Sequence, residues 1–162
     1  LGVLGALVLA VAAVAAGFVI GMRTKSRVVQ GAVIALTKYG FNRVALGTAG
    51  QPGAYAARIH HIGRRSGRPY ETPVGAVVTA DGFLISLPYG LRSQWVRNVL
   101  ANGSATLDFE GQTYRLVDPQ IVPLDPVATA FSPSDQTMHR VFAVREVLRL
   151  RRADTEEIAA AA

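Results

Sequence analysis

The sequence predicts an α+β chain: one apolar helix at the N-terminal end, then an antiparallel sheet long enough to close into a small barrel, with helices on its flanks. Three observations carry that prediction. Leu1 to Met22 holds no charged residue and no proline. Asp81-Gly82 and Glu110-Gly111 each separate two short apolar runs, the strongest short-range signal for a hairpin. Ser93 and Ser132-Pro133 each open a run whose apolar residues recur at helical rather than alternating spacing.

Taken in order, the first run forms a helix rising about 33 Å, enough to cross a hydrocarbon core of about 30 Å. A cleaved signal peptide competes with this reading, through the small residues Ala12-Ala13 and Ala15-Ala16, but no basic stretch precedes the run. Arg23, Lys25 and Arg27 follow it, so the positive-inside rule puts the rest of the chain on the cytoplasmic side of the cell membrane. Gly17 and Gly21 make a small-xxx-small pair, which in so alanine-rich a helix is read as incidental; a homodimer stays open. Val28 to Tyr39 is a second, basic juxtamembrane helix. Gly47 to Gly53 is a flexible connection, with the domain boundary between Gly40 and Gly53. The organisation expected is therefore 1–22 membrane helix, 23–52 juxtamembrane helix and linker, 53–152 barrel domain, and 153–162 disordered tail.

Within the barrel domain, strands are expected at Tyr55 to Ile62, Val74 to Thr79, Phe83 to Leu87, Ala105 to Phe109 and Gln112 to Val117. His60 and His61 are adjacent in the first of these, point to opposite faces, and cannot share a metal; no metal site is assigned. Ser93 caps a helix ending near Asn102-Gly103, with Val96, Val99 and Leu100 as its apolar stripe and Trp95 and Asn98 on a neighbouring face. Pro119, Pro123 and Pro126 make Leu116 to Val127 an extended linker. Ser132 then caps a helix that carries Met138, Val141, Phe142, Arg145 and Leu148 on one face, with Arg149, Arg151 and Arg152 against its negative end.

Charge narrows the function. The net charge is +6, with no cysteine, which excludes disulfides, thiolate zinc sites and cysteine nucleophiles. From Arg23 to Ala80 nine basic residues face Glu71 alone, an imbalance that calls for an anionic partner. Its densest point is Gly63-Arg64-Arg65-Ser66-Gly67-Arg68-Pro69. Glycines bracketing Arg64, Arg65 and Ser66 allow left-handed backbone angles that turn N–H groups toward an anion, and each guanidinium can grip a phosphate or carboxylate with two parallel hydrogen bonds. Nucleic acid is disfavoured as the partner: the first basic cluster flanks the apolar run, and aromatics do not interleave with the other arginines. No P-loop or nucleophile elbow appears.

That arginine turn, followed by Thr72-Pro73-Val74, then Tyr89-Gly90 and Gln94-Trp95-Val96-Arg97-Asn98-Val99, resembles the deazaflavin-dependent nitroreductase family, which includes F420H2-dependent quinone reductases. The likeness runs from Tyr55 to Val122 and extends toward Leu150. It implies a split β-barrel of the flavin-reductase type and coenzyme F420, a deazaflavin with an acidic, phosphate-linked tail, as cofactor in preference to FMN. It further implies that Arg64, Arg65, Ser66 and Gly67 hold the tail, that Trp95 and Asn98 border the ring with the Tyr89-Gly90 turn approaching it, and that Thr72, Pro73, Ser93 and Gln94 also bind the cofactor. The catalytic residue stays unassigned, with Tyr89 a candidate proton donor by location alone.

The activity expected is hydride transfer from the reduced cofactor to an electron-poor, lipophilic small-molecule acceptor such as a quinone, reached from the lipid bilayer. A cofactor needs a clamp and a shaped pocket rather than a nucleophile, which accounts for the missing catalytic constellation. The alternative is a cofactor- or lipid-binding protein of the same fold without turnover, or an FMN-dependent member.

Overall fold

The computed structural model describes residues 2–36 and 42–154. Three helices lead the chain: α1 (Val3–Arg23), α2 (Arg27–Leu36) and α3 (Asn42–Thr48). Seven strands follow, β1 (Ala57–Ile62), β2 (Pro69–Val74), β3 (Ala76–Val78), β4 (Gly82–Ser86), β5 (Ser104–Phe109), β6 (Gln112–Pro123) and β7 (Glu146–Arg152). Helix α4 (Gln94–Asn102) lies between β4 and β5, and a 3₁₀ turn (Asp125–Ala130) and α5 (Pro133–Val141) lie between β6 and β7.

All strand pairs are antiparallel, in the order β2-β1-β5-β6-β7-β4-β3. The two edge strands, β2 and β3, are joined in the chain by Gly75 alone. A flat sheet cannot have its two edges one residue apart, so this one curls into a half-barrel. Successive side chains of β4 then divide between two cores. Phe83 and Ile85 enter the barrel interior with Ile59, Leu107, Leu116, Leu148 and Leu150, closed by Val96 and Val99 of α4. Leu84 faces the other way, onto Phe131, Val144 and Val147, with Met138 and Phe142 packed against them.

The hairpin at Glu110-Gly111 has the two-residue form, with both residues at positive φ and Phe109 opposite Gln112. At Asp81-Gly82 the turn is longer: Val78 pairs with Phe83, and Thr79 donates its N–H to the Gly82 carbonyl. Strand β2 covers Pro69–Val74, ahead of the strand expected at Val74 to Thr79, of which β3 keeps only Ala76–Val78 after the break at Gly75.

Three expectations are corrected. The proline-rich Leu116 to Val127 is no linker: β6 runs on to Pro123, and its register shifts between Val117 and Gln120, with Asp118 at φ 52°. The bulge absorbs Pro119, which has no N–H to give the ladder. The C-terminal helix ends at Val141, and Glu146–Arg152 is a strand inserted between β6 and β4. Val147, Leu148 and Leu150 are fully buried there, while Arg149 and Arg151 pair with Asp81 and Asp118 across the sheet. Those arginines therefore do not complement the helix end. Finally, a short helix, α3, occupies part of the stretch expected to be a flexible connection.

Helix α1 is apolar along its length, and of the residues Leu4–Arg23 only Gly21 and Met22, in the last turn, are buried. Its last turn meets α2 at a tight corner where any side chain on Gly21 would overlap Val29. Gly21 thus serves packing within the chain and is not incidental. The expected disordered tail falls, past Asp154, outside the described residues, as does the end of the helix expected to reach Tyr39.

Candidate functional site

One cavity of about 1060 Å³ opens between the β1–β2 hairpin, the β4–α4 loop, α5 and the base of α1. Of the residues singled out in the sequence, Arg64, Arg65, Ser66, Thr72, Pro73, Tyr89, Ser93, Gln94, Trp95 and Asn98 line it. Gly67 and Gly90 do not; they shape its two turns, at φ 64° and 70°.

A chain of hydrogen bonds crosses one wall. The Asn98 amide oxygen accepts from Arg64 Nη1 at 2.8 Å and from the Arg64 backbone N–H at 3.2 Å, and Gln94 Oε1 accepts from Arg64 Nη2 at 3.0 Å. The Asn98 amide nitrogen donates to His61 Nδ1 at 3.2 Å, which leaves His61 Nε2–H to donate to Thr72 Oγ1 at 3.2 Å. Burial, and then the neighbouring His60, hold the His61 pKa below its usual value, so the ring is neutral. Tyr70 stacks on it at 5.8 Å. Asn98 is buried and both ends of its amide are taken, so it orients Arg64 rather than offering a free amide to the cavity.

The arginine turn is wound more tightly than its glycines suggest. Gly67 N–H donates back to the Gly63 carbonyl at 2.8 Å and Gly63 N–H to the Arg68 carbonyl at 2.8 Å. These two N–H groups point into the turn and that of Arg64 points to Asn98, so none of the three faces an anion. The Arg65 side chain is exposed and makes no hydrogen bond or ion pair among the described residues, which leaves a whole guanidinium fork at the cavity rim.

Ser93 stands at the N-cap of α4, yet its hydroxyl donates to the Gly90 carbonyl at 3.1 Å and tightens the Tyr89-Gly90 turn instead of capping. Leu100 is exposed, so the buried face of α4 is Val96, Asn98 and Val99. Trp95 packs on the barrel core and also lines the cavity. Burial raises the Tyr89 pKa, which keeps its phenol protonated at neutral pH.

The opposite wall was not legible as a site in the sequence. It is apolar, formed by Phe18 and Met22 of α1 with Phe131, Met138 and Phe142, and the Phe18 and Phe142 rings meet edge to face at 6.0 Å. Polar residues at and just after the end of α1 fasten it. Arg23 Nη1 donates to the Arg140 carbonyl at 2.7 Å and the Val141 carbonyl at 3.2 Å. Lys25 Nζ donates to the Pro88 and Phe142 carbonyls, each at 3.0 Å, and Gln30 Nε2 to the Tyr89 carbonyl at 3.2 Å. Two cations thus meet the carbonyl end of α5, where the helix dipole favours them. Ser86 also lines the cavity and is hydrogen-bonded at 2.8 Å to the buried His139.

Histidine 60, on the outer face, is engaged by Asp108 at 2.7 Å and Glu71 at 3.4 Å, away from the cavity.

Comparison with known proteins gives a family. Residues 37–140 match the F420H(2)-dependent quinone reductase family. No curated protein matches. Among solved structures, the heme storage protein HutZ from Vibrio cholerae aligns at 12% identity and TM-score 0.47, over 62% of this chain and 82% of that one. A protein described as an F420 reductase aligns at 14% identity and TM-score 0.44, over 67% of this chain and 92% of its own. The F420-H2 dependent reductase FDR-A aligns at 16% and 0.44, over 60% and 94%. These likenesses are too distant to carry an argument, and the assignment rests on the family match, which spans six of the seven strands and the polar wall of the cavity but not Phe18, Met22 or Phe142. The chain belongs to the F420H(2)-dependent quinone reductase family: it is an F420H2-dependent reductase, with coenzyme F420 as its cofactor.

Proposed function

We propose that this reductase is anchored in the membrane by α1, with its half-barrel on the cytoplasmic side, and that it reduces a lipophilic quinone entering beside the base of α1. The observation that carries the reading is the composition of the cavity walls. A free arginine fork and a polar relay stand on one side, and the last turns of an apolar helix stand on the other.

The residues present fit the cofactor. A cavity of about 1060 Å³ accommodates a ring system with an acceptor beside it, and the exposed Arg65 fork suits an acidic tail. Arg65, with Arg64, Ser66 and the turn at Gly67, holds that tail. Thr72, Pro73, Trp95, Gln94 and Ser93, with the Tyr89-Gly90 turn, border the ring, and Asn98 acts on the tail through Arg64. When bound, coenzyme F420 in its reduced form supplies the hydride. The chain's own contribution is to orient the two reactants and to exclude water with the apolar wall.

On the acceptor side, Phe18, Met22, Met138 and Phe142 offer no hydrogen-bond donor, which favours an apolar tail over a small soluble compound. Arg23 ends α1, Lys25 and Arg27 follow it, and the three set the orientation by the positive-inside rule. A titration of the full chain in detergent with coenzyme F420 tests the cofactor clamp. Arg65→Ala loses charge-assisted bonds worth on the order of 1.5–3 kcal/mol each, so its affinity falls roughly tenfold or more at low salt. Unchanged affinity would remove Arg65 from the site.

A further inference from the structure

Strand β4 alternates, so Ser86 points the same way as Leu84, out of the barrel and toward α5, where the residue is 5% exposed and lines the cavity. There it lies 2.8 Å from His139 Nε2. His139 is 2% exposed, wedged edge-on against Phe131 at 4.8 Å, and its other ring nitrogen, Nδ1, is buried with no hydrogen-bond partner among the described residues. This polar pair is placed in an otherwise apolar core, where an unpaired polar atom is costly and needs a reason.

The orphan nitrogen settles which way the pair points. A neutral imidazole carries one N–H and one bare lone pair. Placing the proton on Nδ1 buries a donor with nothing to receive it. Placing it on Nε2 buries only a lone pair and lets Nε2–H donate to Ser86 Oγ. The serine proton is then free of the histidine, and because Ser86 lines the cavity it can turn toward it. Burial lowers the His139 pKa, which keeps the ring neutral against the pull of Asp135.

We propose that Ser86 is a catalytic residue that donates a hydrogen bond to the carbonyl oxygen of the acceptor, and that His139 is the positioning residue that aims it. The inference rests on the reductase reading above and deepens it. As hydride reaches a quinone, its electron pair leaves negative charge on the carbonyl oxygen, and a donor already aimed at that oxygen stabilises the charge without having to reorganise. The pair gives up no proton in this role. Proton transfer to the oxygen is a separate step, and the serine remains a hydroxyl throughout.

Two measurements test this on the full-length chain in detergent. The first needs neither cofactor nor turnover, so its failure is distinct from a failure of the reductase reading. The chain has 3 histidines, so 15N-histidine NMR with single replacements assigns His139, and the expected result is the Nε2–H tautomer. A Nδ1–H tautomer, with its proton on the Phe131 ring, would overturn the proposal. The second uses a tail-less quinone and reduced coenzyme F420. Ser86→Ala should lower kcat on the order of 10²-fold, as loss of one oxyanion donor does, with affinity for oxidised coenzyme F420 unchanged. His139→Leu should lose about tenfold, because the serine is present but no longer aimed. His139→Gln can return an N–H to the position of Nε2 and should recover most of the loss. An unchanged kcat in Ser86→Ala would overturn the proposal. So would a matching loss of cofactor affinity, which would give the serine to a carbonyl of the cofactor ring instead.

Discussion

Replacing Asn98 with leucine removes an amide and keeps the volume roughly constant, so its effect can be worked out bond by bond. Three hydrogen bonds go: two from Arg64 to the amide oxygen, at 2.8 and 3.2 Å, and one from the amide nitrogen to His61, at 3.2 Å. Arg64 is half-buried and can turn to water, so its loss is partly recovered. His61 cannot do the same. The residue is 6% exposed, and an unpaired buried acceptor costs about 1–3 kcal/mol. With the remainder from Arg64, the variant should be destabilised by about 2–3 kcal/mol. At about 2–4 °C per kcal/mol for a chain of this size, the melting temperature should fall by about 4–12 °C. Trp95, the single tryptophan, reports both the melt and cofactor binding. Affinity for coenzyme F420 should weaken as Arg64 is released. Asn98→Asp should behave differently: it keeps an acceptor for Arg64 and draws a proton onto His61, whose pKa then rises. Stability from that new pair is present below pH about 6.5 and lost as pH rises through the raised pKa. A leucine variant melting within about a degree of the parent, with unchanged affinity, would refute the relay.

Two further predictions follow from the same geometry. Lys25→Met removes the ammonium bridging the Pro88 and Phe142 carbonyls, so amide hydrogen exchange should rise at 87–91 and 140–143 and KM for a long-tailed quinone should increase; unchanged exchange in both segments would show that the bridge holds nothing. His61 and His139 both have folded-state pKa values below the unfolded value near 6.5, so the unfolded chain binds more protons below that pH and stability falls as pH is lowered from about 7. Melting between pH 7.5 and 5 should show the fall, shallower in His139→Gln, and equal slopes would exclude His139 as a contributor.

Much of the barrel was legible because its signals are local. Glu110-Gly111 sits between apolar runs, and Ser132-Pro133 opens a helix whose cap forms as expected, Asp135 N–H donating to the Ser132 hydroxyl. The end of that helix was not legible. It stops at Phe142-Ala143, with Ala143 at φ 49°, a left-handed residue that is neither glycine nor asparagine and so gives no stop signal. With the stop invisible, Leu148 fitted a helical face with Phe142 and Arg145 as well as it fits a buried central strand. The arginine turn was visible as charge on glycines. Its hydrogen bonds to Asn98 and Gln94 depend on how α4 docks, which no spacing encodes. The apolar wall joins Phe18 to Phe142 and Lys25 to Pro88 across much of the chain, and Ser86 meets His139 the same way. Tertiary contacts of that kind leave no periodicity to read.

The central claim is that the acceptor comes from the bilayer in which α1 sits. Deleting α1 would also remove Phe18 and Met22 from the cavity, so the intact chain is the proper subject. It should be reconstituted in liposomes and supplied with reduced coenzyme F420, and oxidation of the cofactor followed with a long-tailed quinone either in the same vesicles or confined to separate ones. A shared bilayer raises the local encounter rate as a short tether does, so turnover should be fast in the first case and close to background in the second. Equal rates in the two arrangements would contradict an acceptor drawn from the membrane.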